Sequence, residues 1–207
     1  MKIDYMLILE NSIYFLALIN PFSKVLFLAS YTPELDVKNL WEMSWRSTLW
    51  ALGILVVFTL VGQFILNDIF RVEMYSLKVV GGMIIFAIGW NAVRKGMFFQ
   101  KEDYKVHESL NEISIVPLAT PLIAGPGTIT VAISTGAQYG IFVSLASLYI
   151  ALSLNLIFMM FSLIISRFTH MLSLTGPLIR ITGLIVAVVA MQMVFSGLGE
   201  WLRIVFH

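Results

Sequence analysis

The stretch ISIVPLATPLIAGPGTITVAISTGAQYGIFVSLASLYIALSLNLIFMMFSLIIS, Ile113–Ser166, contains no Asp, Glu, Lys or Arg. As one helix it would be roughly 80 Å long, whereas a bilayer hydrocarbon core is about 30 Å thick. It must therefore fold as two helices, with the turn at Gln138-Tyr139-Gly140. This divides it into a span over about 114–137 and another over about 141–165. The same requirement of about 20 apolar residues per crossing places the other spans at about 6–29, 46–66, 75–94 and 178–198. Trp41, Trp45 and Trp50 stand at the entrance of the second as an interfacial aromatic group. The expectation is an all-α, polytopic membrane protein of six transmembrane helices.

Composition agrees. Of 207 residues, 59% are hydrophobic and 12% charged, about half the charge of an ordinary soluble domain. Mean hydropathy is +0.90. Lipid solvates such a surface; water does not. Net charge is +1, with no dense basic run, so nucleic acid is not an expected partner. The absence of cysteine rules out a disulfide framework and a thiolate metal site. No cofactor is implied. The N-terminus, with Asp4 and Glu10, reads as the first membrane helix rather than a cleaved signal.

The chain also divides in two. Leu77–Asn91 aligns with Leu178–Gln192, matching Gly82 to Gly183, with a basic residue (Lys78, Arg180) at each start. Leu18-Ile19-Asn20-Pro21 can be laid against Leu122-Ile123-Ala124-Gly125-Pro126. Residues 1–95 then form a first three-helix repeat, 96–112 a charged cytoplasmic linker loop, and 113–207 a second repeat. An odd number of spans per repeat inverts the second relative to the first, an arrangement typical of transporters, in which one half rocks against the other. The excess of Lys and Arg in loops one-two, three-four and five-six makes that side cytoplasmic and puts both termini outside an inner (plasma) membrane. Gly81, Gly82 and Gly183 read as close helix contacts, and small-residue faces leave room for a homo-oligomer.

Two places break the rules of a membrane helix. Asn20-Pro21-Phe22-Ser23-Lys24 interrupts helix one. Pro117, Pro121, Gly125, Pro126 and Gly127 interrupt helix four. Freed backbone groups cost several kcal/mol each in hydrocarbon, so both breaks should face the protein interior and meet there. Half-helix N-termini would suit a carboxylate and C-termini an ammonium group or Na⁺. Asn20, Pro21, Ser23, Thr120, Pro121, Gly125, Pro126, Gly127 and Thr128 are the candidate substrate-binding residues, and Thr130 adds a further hydroxyl. Lys24 either contacts a solute or snorkels to the interface. Asn91 and Gln192 read as marks of helix ends, and Glu10 as a solvated rim residue. His107, His170 and His207 lie in loops or at the terminus, and no catalytic motif appears, so an enzyme is not expected.

At Asn20-Pro21-Phe22-Ser23 and at Pro117-Leu-Ala-Thr-Pro121-Leu-Ile-Ala-Gly125-Pro126-Gly127-Thr128-Ile129 the sequence resembles the MarC family of small membrane proteins. The resemblance covers essentially the whole chain. It implies six helices, a fold related to LysE-type exporters, and transport of neutral amino acids. It also implies that Asn20, Pro21, Pro121, Gly125, Pro126 and Gly127 form discontinuous-helix motifs. Family members often carry Gly at the position of Ser23 and Pro at that of Leu26, and Lys24 is unusual there. The expected function is secondary transport of a small polar solute such as glycine or alanine, with H⁺ or Na⁺ as a coupling ion. An uncoupled exporter or channel, and a non-transporting scaffold or lipid-interacting subunit, are the alternatives.

Overall fold

The computed structural model describes residues 4–30, 37–96, 114–165 and 175–206. All regular structure among them is helical. Helix α1, Tyr5–Ile19, starts where the Asp4 carboxylate accepts from the amides of Met6 and Leu7 at 3.1 and 3.2 Å, satisfying donors a helix start leaves free. It stops at Asn20, which is left-handed (φ 54°, ψ 79°) and donates its amide to the Leu16 carbonyl at 2.9 Å. Asn is among the few non-glycine residues that tolerate this conformation. Pro21 then opens α2, Pro21–Ser30, at the one helical position where a missing N–H costs nothing. Helix one is thus broken, as its Asn-Pro pair implies.

Helix α3, Val37–Phe64, begins well before the expected residue 46 and closes in a π-helical turn, Ile65–Ile69. The early start has a physical reason: Glu42 and Arg46 stand four apart and pair at 2.7 Å on the exposed face, so charge there continues the helix beyond the apolar span. Helix α4, Met74–Lys95, ends in a left-handed Gly96 (φ 68°). Next come a π-helical segment, Ser114–Ile123, and helix α5, Pro126–Tyr139, separated at Ala124-Gly125. Gly140 (φ 93°) turns the chain into α6, Ile141–Met160. Helix α7, Thr175–Phe206, outruns the expected 178–198. Gln192 therefore lies exposed in mid-helix rather than at an end. Its last turns carry Glu200, which pairs with Lys78 of α4.

Five described stretches are long and apolar enough to cross a bilayer: Tyr5–Val25, Val37–Ile69, Met74–Lys95, Ile141–Met160 and Gly176–Phe206. Over the expected span 114–137 lie the π-helical segment and α5, neither long enough alone to cross. The 96–112 linker lies, except for Gly96, outside the described residues.

Packing explains where the small residues fall. Helices α4 and α7 form the most extensive contact of the fold and run antiparallel. A Cβ at Gly82 would lie 2.8 Å from the Ala190 carbonyl oxygen, one at Gly89 2.7 Å from the Ala187 nitrogen, and one at Gly197 2.7 Å from the Tyr75 oxygen. Backbone touches backbone along this seam, the close approach that glycine permits in membrane helices. Helix α6 runs parallel to α1–α2: Ser147 Oγ donates to the Ile8 carbonyl at 3.0 Å, and the rings of Phe22 and Phe158 lie 5.9 Å apart. Helix α5 lies antiparallel to α4, with Gly81 against Thr130 and Gly127 against Ile85. Between them sits a core that includes Phe15, Ile19, Met43, Leu55 and Ile123. The outer faces expose Val80, Met83, Trp90, Ile181, Leu184 and Val188, an apolar surface that suits lipid.

Candidate functional site

Each break is built from local chemistry. At the first, the Asn20 carbonyl accepts from the Ser23 amide at 3.1 Å and the Ser23 hydroxyl at 2.8 Å. Lys24, one residue on, is turned inward. Its Nζ donates to the Ile19 carbonyl and to Ser23 Oγ, the latter at 3.2 Å. It is 2% exposed. The snorkelling alternative for Lys24 is therefore overturned: an ammonium that closes back onto the end of α1 does not reach an interface.

At the second break, Pro117 and Pro121 stand four apart and neither can donate. The chain answers by widening to π-helical winding, in which Ala124 donates to the Ala119 carbonyl at 2.8 Å. Gly125 then caps α5 and Pro126 takes its first position. Thr128 Oγ1 accepts from the Gly125 amide at 3.0 Å and stands 2.6 Å from the Ile123 carbonyl and 3.2 Å from that of Gly125. One hydroxyl thus ties the two pieces of helix four together.

The breaks line one cavity of about 200 Å³. Asn20, Ser23 and Lys24 come to it from the first; Gly125, Pro126, Gly127 and Thr128 come from the second. Ile85 and Ile88 of α4 and Val186 of α7 complete the wall, with Leu18, Ile19 and Leu122. A Cβ at Gly127 would collide with the Ile85 side chain, so glycine there keeps the chain open on this side. Three candidates remain. Pro21 is buried as the first residue of α2 and Thr120 is half-buried with its hydroxyl unpartnered, and neither lines the cavity; the third, Pro121, lies within the π-helical segment, its side chain outside those described. Thr130 also stands apart, donating to the Pro126 carbonyl at 2.8 Å.

The cavity's electrostatics follow from the helix directions. Both α2 and α5 begin at it, while α1 and the π-helical segment end at it, so helix ends of both signs face it; at α2, Pro21 has no amide and that of Ser23 is taken by the Asn20 carbonyl. Asn20 is 6% exposed and its Nδ2 has no partner. The apolar wall from α4 and α7 was not foreseen. Ile85 and Val186 lie about one helical turn from Gly82 and Gly183, and that proximity to the glycine seam is the signal that could have found them. The Lys78–Glu200 pair was missed as well, because its partners are distant in sequence.

Two broken helices converging on one cavity, within a bundle clad in apolar side chains, define a polytopic integral membrane protein. The profile of the MarC family integral membrane proteins matches residues 5–202, and the chain belongs to that family. Its relatives include a UPF0056 membrane protein of Pyrococcus horikoshii, 33% identical over 147 residues that cover 71% of each chain. Another, from Methanocaldococcus jannaschii, is 32% identical over 133 residues, 63% of each chain. YvbG of Bacillus subtilis is 29% identical over 127 residues, 59% of this chain and 60% of that one. No solved structure matches.

Proposed function

We propose that this chain is a secondary transporter for a small polar solute bearing a carboxylate, with neutral amino acids such as glycine and alanine as the first candidates. The observation that carries the reading is the meeting of the α2 and α5 N-termini at one cavity of about 200 Å³. A water occupies roughly 30 Å³ of liquid, so the space holds a few waters or one small metabolite. Drug-sized ligands need pockets of about 300–1,000 Å³. In transporters with discontinuous helices, half-helix N-termini pointing at an anionic substrate group are a recurrent device.

Two further features support a transporter with inverted halves. The contacts of the α4–α7 seam come in related pairs: Gly82 meets Ala190, and Gly183 meets Gly89. The offset that carries Gly82 to Gly183 also carries Gly89 to Ala190, as a two-fold axis relating the repeats requires. The helix directions also favour six crossings. With α1 and α6 parallel and α4 and α7 antiparallel, the chain alternates consistently only when residues 114–139 cross once. The reading places the protein in an inner membrane with both termini outside.

Among the described residues, none that lines the cavity is an Asp or Glu, so an H⁺- or Na⁺-coupled cycle would draw on carbonyls and hydroxyls. The same absence favours an uncoupled exporter as the second reading. Counterflow of labelled alanine in vesicles reconstituted with the purified chain tests both. Saturable exchange, abolished by Gly127→Leu, is expected. Acceleration by an imposed ion gradient would select the coupled form. Wild-type vesicles no faster than empty ones for any small carboxylate-bearing solute would overturn the reading.

A further inference from the structure

Lys24 is buried in the cavity wall with no carboxylate beside it among the described residues. Among the described residues, the ion pairs are Arg46–Glu42 and Lys78–Glu200. The carboxylates on the elements around the cavity are distant or engaged. Glu10 lies ten residues before Asn20, roughly 15 Å along α1, and is exposed. Asp4 is farther still and caps α1. Glu73 precedes α4, and Glu200 is held by Lys78. Burying an ammonium in low dielectric is costly unless an anion comes with it. The Ile19 carbonyl and Ser23 hydroxyl supply dipoles but no negative charge.

The carbonyls at the ends of α1 and of the π-helical segment also reach this region, but those of Ile19, Asn20, Ile123 and Gly125 already accept from Lys24, Ser23 and Thr128, and the polar groups left over are donors. The N-terminus of α5 presents amide donors. The one polar side-chain atom lining the cavity without a partner, Asn20 Nδ2, is also a donor. A zwitterion would bring its ammonium into this set with no carboxylate to receive it. The remaining wall, Leu18, Ile19, Ile85, Ile88, Leu122 and Val186, is aliphatic.

Resting on the transporter reading above, we propose that this site selects a small monocarboxylate anion over the zwitterionic amino acid of the same size. The carboxylate sits between Lys24 Nζ, Asn20 Nδ2 and the first amides of α5, and a short alkyl tail lies against Ile85, Ile88 and Val186.

A charge-dissected series of small solutes tests this on the purified full-length chain: propionate, its near-isostere propionamide, alanine and ethylamine, each titrated by thermal shift and calorimetry. A ligand that binds only the folded state raises the melting temperature by mass action. Propionate should bind at least tenfold tighter than alanine, with propionamide and ethylamine weaker still. Lys24→Met should weaken propionate at least tenfold while leaving propionamide within about twofold. Asn20→Asp, nearly isosteric and tolerant of the left-handed backbone, should abolish propionate binding, which keeps the test open should Lys24→Met fail to fold. Alanine binding as tightly as propionate would overturn the anion preference and leave the transporter reading standing. So would propionate binding unaffected by either substitution. Saturation by chloride in place of propionate would overturn the carboxylate assignment. If no solute of the series binds and none exchanges in vesicles, the transporter reading falls too.

Discussion

Lys78 and Glu200 show how much depends on one partner. Lys78 is buried on α4, with a side chain 10% exposed, whereas that of Glu200 is 39% exposed. Removing a partner costs chiefly through the charge it strands. Glu200→Gln strands the more buried ion and should destabilise by about 2–3 kcal/mol, against about 1–2 kcal/mol for Lys78→Met. The double substitution should recover much of the loss, and a double-mutant cycle of denaturation midpoints in detergent measures it. A double loss equal to the sum of the single losses would mean that the pair contributes nothing. At this scale the sequence was half legible. Asn20-Pro21 announces a break by its chemistry alone. Where Lys24 points was open, because the left-handed turn at Asn20 re-aims α2 and the periodicity of α1 cannot be carried across it.

At the level of elements, the glycine seam between α4 and α7 makes opposite predictions for one kind of change. At Gly53 of α3 a Cβ meets nothing within 4 Å, so Gly53→Ala should stabilise by about 0.5–1 kcal/mol through helix propensity. At Gly89 the added methyl meets the α7 backbone at 2.7 Å, and Gly89→Ala should cost about 1–3 kcal/mol through overpacking. Thermal unfolding of both variants, followed in parallel, decides whether the seam is as tight as drawn; equal shifts would deny it. Apolar runs gave the approximate centres of the helices but misplaced several ends. A hydropathy boundary marks where lipid stops, whereas a helix stops only when its hydrogen bonds do. Val37 and Phe206 lie beyond charged residues that the helix accommodates on its surface. The winding of 114–123 was not legible either. Prolines forbid regular α-helix, but they do not say whether the chain will kink, unravel or widen.

For the whole molecule, the directions of the helices assign sides. The turn near Arg71 and the turn at Gly140 should share one face with both termini, and the end of α4 should lie on the other. The chain has no cysteine, so single introduced thiols report without background. Arg71→Cys and Tyr139→Cys should react with a membrane-impermeant maleimide from the same side of oriented vesicles, and Lys95→Cys from the opposite one. If Tyr139→Cys and Lys95→Cys label together, residues 114–139 dip into the membrane and return. The convergence of the two breaks was anticipated because exposed backbone is intolerable in hydrocarbon. The aliphatic wall that closes the cavity depends on the α4–α7 contact, which no local pattern encodes.

That contact has a mechanical consequence. Side-chain interfaces can yield by changing rotamers, but an interface made of peptide groups has no rotamers to change. Sliding α4 past α7 would drive carbonyls into Cα atoms at Gly82, Gly89, Gly183 and Gly197 together. In the transporter proposed above, the pair would act as a stator between the two proposed repeats, and a simple rocking of one against the other would have to tear it. Displacement would then be left to the pieces that are already cut, α2 and the two segments of the fourth helix, with Asn20 and Gly125 as pivots against a still frame.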